Sequence, residues 1–176
     1  MHVSDYLTTY KLLILYMIDV INYPLTNAQI SDFILGNGYT DYFNLQHAIS
    51  DLQDTNMISS LKVQNSTRYT LTDEGKETLN LLVSHIPSAM REDARIYLKK
   101  NNYSIKETNS FTGIYEPLDN DEYLVKLKVD EDRIPILEVS LSVPTKEAAQ
   151  DMCNNWREKS QEIYTYILKT LLPSDN

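Results

Sequence analysis

Three histidines, His2, His47 and His85, are the side chains best suited to acid–base or metal chemistry, and they are scattered along the chain. A zinc site needs ligands at recurring short spacings, as in HExxH or paired Cys/His motifs, and none occurs. Cys153 is flanked by Met152 and Asn154 on an amphipathic run, which suits an inert, packed thiol better than a nucleophile. The carboxylates Asp119, Asp121 and Glu122, and the run Asp130-Glu131-Asp132, lack the EF-hand spacing and its glycine, and read as solvated loops. Four glycines leave little material for a phosphate-cradling loop, and no GxSxG, GxGxxG or GxxxxGK[ST] is present. The chain is therefore expected to use no metal or cofactor and not to be an enzyme. What remains is a set of amides and hydroxyls. Tyr42, Asn44, Gln46, His47 and Ser50 fall within one short segment, and such groups on a helix can hydrogen-bond base edges in a major groove. Lys62 and Arg68, with the backbone amides at Thr40 or Asp41, are the candidate phosphate contacts.

Those residues need a scaffold, and the chain spells one out. Ser4 is expected to cap a first helix running to Ile21, apolar on nearly every side and so buried against a second subunit or the C-terminal helix. Thr26-Asn27-Ala28-Gln29 has the form of a capping box, opening a second helix that stops near Leu35-Gly36-Asn37-Gly38. Gly36 and Gly38 suit a tight turn, and Thr40 is expected to cap a third helix from Asp41 to about Thr55. Two helices joined by a short Gly-containing turn make a helix-turn-helix. On the third helix Leu45, Ala48, Ile49 and Leu52 share an inner face, and Phe43, His47, Ser50 and Asp54 an outer one. Two β-prone runs, Ile58 to Gln64 and Thr67 to Leu71, flank a turn at Asn65-Ser66, and Thr72 caps a fourth helix reaching Pro87.

Tyr69-Thr70-Leu71-Thr72-Asp73-Glu74-Gly75-Lys76 resembles the Tyr-x-Leu-Thr-x-x-Gly-Lys/Arg stretch that closes the wing of PadR-like and MarR-like regulators. The element order is also that of a winged helix-turn-helix. The whole chain is similar to a family of uncharacterised winged-helix proteins with a C-terminal region of about this size, often labelled transcriptional regulators. The resemblance implies DNA binding by the N-terminal half and leaves the second half open.

Residues 87–176 read as a linking helix from Pro87 to Asn101, strand-like stretches Tyr103 to Glu116, Tyr123 to Val129 and Ile134 to Val143, and a long helix capped by Thr145. That helix carries a stripe of Ala149, Met152, Trp156, Ile163, Ile167 and Leu171. The expected fold class is α+β: a winged helix over residues 1–86, then a small antiparallel sheet packed with a long C-terminal helix over 87–176. Thirteen tyrosines could line an aromatic pocket, though core and interface packing explains most of them.

Charge argues against a generic DNA-binding surface. The net charge is -9, and residues 1–86 carry four basic side chains against nine acidic ones. Non-specific affinity for a duplex comes mainly from neutralised phosphates, so any positive surface must be local. The longest apolar run, Leu12 to Ile21, is interrupted by Asp19 and falls short of the ~20 residues that cross a bilayer. No membrane association is expected, and the absence of a leader pattern and of a possible intramolecular disulfide suggests the cytoplasm. The expected protein is a homodimeric regulator binding double-stranded DNA, with the C-terminal half sensing or dimerising. A protein partner or a small-molecule effector is the further expected contact. The competing expectation is a winged helix that binds a protein and no DNA, for which exposed Phe43 and the acidic third helix would be suited.

Overall fold

The computed structural model describes residues 3–63 and 66–172, with side chains from residue 8 onward. His2, the residue Asn65 of the expected turn, and the tail 173–176 lie outside the described residues. The chain is α+β, with six α-helices and two three-stranded sheets among the described residues. Two compact units divide at Ile105/Lys106, inside a helix, rather than at the 86/87 boundary expected from sequence.

In the first unit, α1 (Val3–Ile21) begins before Ser4, so Ser4 is a helix residue and not its cap. Leu12 to Ile18 of α1 are all buried within the chain. The helix packs against α3 (Tyr42–Asp54), α4 (Asp73–Leu82), β3 (Ser66–Leu71) and a 3-10 turn at Val83–His85. Its apolar girth is thus satisfied by the first unit itself, and the expected cover by a second subunit is not required.

The helix-turn-helix is set by local chemistry. Thr26 precedes α2 (Asn27–Gly36), and both capping-box bonds form: the Gln29 amide donates to Thr26 Oγ1 at 3.1 Å, and the Thr26 amide donates to Gln29 Oε1 at 2.9 Å. Gly38 takes a φ of 66° in the turn, whereas Gly36 remains the last helical residue. Asp41, not Thr40, caps α3, its Oδ1 accepting the Asn44 amide at 2.9 Å. Inner residues Leu45, Ala48, Ile49 and Leu52 are all buried, as the spacing predicts.

A strand too short to show in the sequence, β1 (Leu25–Thr26), pairs antiparallel with β3, placing Leu25 opposite Tyr69 and Thr26 opposite Arg68. With β2 (Ile58–Val63) the sheet order is β1-β3-β2.

The next helix, α5 (Ser88–Ser110), ends nine residues later than expected and absorbs the stretch from Tyr103 to Ser110 that reads as strand. Its Ala94, Leu98 and Ile105 belong to the first core. Tyrosines fasten it there. Tyr97 Oη donates to Gln29 O at 3.1 Å and to Asp32 Oδ2 at 3.0 Å, and Tyr39 Oη donates to Asp93 Oδ2 at 2.6 Å. Burial and the Asp93 carboxylate push the Tyr39 phenol up to about 12.

The second unit holds β4 (Phe111–Pro117), β5 (Tyr123–Glu131) and β6 (Ile134–Val143) in an antiparallel meander. The long helix α6 (Lys146–Leu171) packs on this sheet, with Thr145 accepting the Ala148 amide at its start. Ala149, Cys153, Trp156 and Ser160 form its buried side, while Leu171, expected on the stripe, is exposed. Close approach of α6 to β4 explains Gly113, where a Cβ would stand 3.0 Å from Cys153 Cα.

Candidate nucleic-acid interface

The outer face of α3 exists because its inner face is committed to the core. Phe43, Asn44, His47, Ser50 and Asp54 are exposed, as is Tyr42. Phe43 is 84% exposed and Tyr42 56%, and their rings meet edge to face with centroids 6.0 Å apart. Large apolar side chains at such exposure on the first turn of a helix contribute little to the fold, so their position is available for contact.

The polar residues are less available than their types suggest. Gln46 and Asn27 form a reciprocal amide pair, Asn27 Nδ2 donating to Gln46 Oε1 at 3.1 Å and Gln46 Nε2 donating to Asn27 Oδ1 at 3.3 Å. That pair ties α2 to α3. Asn44 Nδ2 donates to Asp41 Oδ2 at 2.7 Å, so the capping carboxylate occupies the helix start where a phosphate was expected to sit against the Thr40 and Asp41 amides. Thr40 itself is half-buried.

His47 Nδ1 lies 3.0 Å from Asp51 Oδ2, and Lys11 Nζ lies 2.8 Å from the same oxygen. The Lys11 ammonium, with a smaller contribution from His47, holds the Asp51 carboxyl below its ordinary value. A carboxyl depressed in the folded state adds stability above its unfolded pKa, and that contribution is lost as pH falls through the folded value. Replacing Lys11 by Met is expected to move the Asp51 carboxyl upward, by removing the largest cause. NMR titration of the Asp51 side chain checks this; an unmoved titration midpoint refutes the Lys11 assignment.

On strands β2 and β3, the two candidate cations part company. Lys62 on β2 is exposed, whereas Arg68 on β3 is 9% exposed and faces β1. Burial lowers the Arg68 pKa from the ordinary guanidinium value. A side chain so enclosed is a structural element of the sheet and does not reach out to a duplex from this position. Ser59 and Thr70 hydroxyls meet at 2.6 Å across the same two strands, and Gln53 donates to Ser60 at 2.9 Å, joining α3 to the wing.

Sequence reasoning missed Asn27 and Lys11. Asn27 is visible only as a helix-start residue, and Lys11 as the lone cation in an apolar helix; the partners of both are distant in sequence.

Two shallow clefts lie elsewhere. One of about 270 Å³ at the wing root is lined by Asp19, Tyr23, Thr70, Thr72, Asp73 and Lys76. Another of about 240 Å³ lies against the β4–β6 sheet, at Thr112, Ile114, Lys126, Lys128, Glu138 and Ser140. Burial pushes the Cys153 thiol up, away from thiolate chemistry. Among the described residues no group of three His, Cys, Asp or Glu side chains is placed to hold a metal ion, and no helix is long and apolar enough to cross a membrane.

Taken by its architecture, the protein is α+β: helices with a first three-stranded sheet, then an antiparallel sheet packed by a long C-terminal helix. The chain belongs to the family described as a domain of unknown function, DUF4364, whose model matches residues 10–171. Comparison with curated proteins and with solved structures returns no match.

Proposed function

We propose that the protein is a homodimeric transcription regulator of the cytoplasm, a binding protein rather than an enzyme. On this reading α3 enters the major groove of double-stranded DNA, and the second unit senses an effector or a partner. The observation that carries it is the outward presentation of Tyr42, Phe43, Asn44, His47 and Ser50 on the second helix of a helix-turn-helix beside a wing. Lys62 is then the wing's phosphate contact, since Arg68 is enclosed. With so few cations, the logarithm of affinity should fall with the logarithm of salt at only roughly -0.9 per phosphate contact. Selection from a random duplex library at about 50 mM salt tests the reading. Enrichment of a sequence family with a shallow salt slope supports it; no enrichment sinks it.

The dimer is supported by the end of α6, where Leu168, Leu171 and the following Leu172 are exposed on one side. Light scattering at micromolar concentration should return about twice the 20.4 kDa chain mass. A value equal to the chain mass refutes it.

The second reading, a winged helix that binds a protein, draws on the same surface. Asp41, Asp51 and Asp54 on or beside α3 repel phosphates, and Phe43 has the character of an interface anchor.

A further inference from the structure

We infer that the DNA site is read through thymine C5-methyl groups, contacted by the Tyr42 and Phe43 rings, and so is rich in A·T pairs where α3 enters. This rests on the DNA-binding reading above. Guanine is most often read by Arg or Lys, and α3 has neither. Adenine is usually read by the amide of Asn or Gln. Here all three amides of α3 are engaged, Gln46 by Asn27, Asn44 by Asp41 and Gln53 by Ser60. Cytosine needs an acceptor carboxylate: both oxygens of Asp41 are already bonded to Asn44, Asp51 is bound by Lys11 and His47, and exposed Asp54 is the last residue of α3, away from the N-terminal residues that meet base edges.

What the helix start does present is apolar. The N-terminal residues of a recognition helix are those that meet base edges. Tyr42 and Phe43 are the first two residues of α3, and they are its most exposed large apolar groups. Their edge-to-face contact, with an interplanar angle of 79°, fixes the two rings against one another before binding. The one apolar group that a base pair offers in the major groove is the thymine methyl. Sequence alone had suggested a protein partner for Phe43; the engagement of the neighbouring amides gives it a role in base reading.

The test uses the full chain and the duplex enriched from a random library, prepared with thymine or with deoxyuridine, which keeps every base-pair hydrogen bond and lacks only the methyl. The enriched site should contain thymines whose replacement weakens binding about fourfold for each methyl buried. Phe43→Ala, a change at a surface residue that leaves the fold intact, should discriminate less between the thymine and deoxyuridine duplexes, and Tyr42→Ala with Phe43→Ala should bind the two equally. If a sequence is enriched and deoxyuridine binds as well as thymine, the methyl reading is overturned and DNA binding stands. If no sequence is enriched, both fall, and the surface is better explained by a protein partner.

Discussion

Trp156→Ala should cost the second unit about 3 to 5 kcal/mol, the usual range for removing a buried tryptophan. Trp156 is 2% exposed and packs with Val125, Leu127, Ala149 and Cys153, so the cavity it leaves has apolar walls held by a sheet and a helix that cannot easily collapse inward. Its Nε1 also donates to the Lys128 carbonyl at 2.9 Å, and loss of that donor leaves an acceptor in the middle strand without its bond. Trp156→Phe keeps most of the volume and loses the donor, so it should fall between wild type and Trp156→Ala. Chemical denaturation followed by circular dichroism gives the order, and hydrogen exchange should show the largest loss of protection at amides of β4, β5 and β6. An unchanged denaturation midpoint for Trp156→Ala would mean that α6 does not hold this sheet.

Features fixed by near neighbours were legible in the sequence. The Thr26 capping box, the Thr145 cap and the inner face of α3 all depend on residues three or four apart, and all appear as the spacing predicts. Features fixed by distant pairing were not. The burial of Arg68 depends on β1, a two-residue strand that exists only because β3 lies beside it. The engagement of Gln46 depends on Asn27, on another helix. The extension of α5 had a readable signal: Ile105 continues the helical spacing of Ala94 and Leu98. Asn101-Asn102 obscured it, since asparagine favours caps and turns over helix interiors. At the candidate site the sequence shows residue types but not their availability, because a hydrogen-bond partner elsewhere in the fold decides whether an amide is free to make an outside contact.

Gly75→Ala should destabilise the first unit by about 2 kcal/mol or more, although alanine is the better helix former. Gly75 sits in the first turn of α4, and a Cβ there would stand 2.0 Å from the Met57 carbonyl oxygen and 3.0 Å from Leu71 Cδ1. The methyl of Leu71 can turn aside, but the carbonyl is backbone and moves only with the chain. Relieving such a contact costs up to about 3 kcal/mol or more, against about 1 kcal/mol gained from helix propensity. The displacement would fall on a clasp: the Thr72 amide donates to Met57 O at 3.2 Å, Thr72 Oγ1 donates to Asn56 O at 2.7 Å, and the Gly75 amide donates to Thr72 Oγ1 at 3.0 Å. These bonds tie the end of the wing to the end of α3. The Thr72-x-x-Gly75 stretch is therefore a close-approach requirement, with Thr72 as cap and Gly75 as the space that lets the carbonyl in. Glu74→Ala, at the exposed neighbouring residue, should stay within about 0.5 kcal/mol of wild type. On the DNA reading, Gly75→Ala should also weaken binding to all duplexes alike, since it shifts the wing without touching the bases met by α3. Thermal melts of the two variants decide the structural claim: if Gly75→Ala melts with wild type, α4 and the α3 end do not approach as closely as this geometry requires.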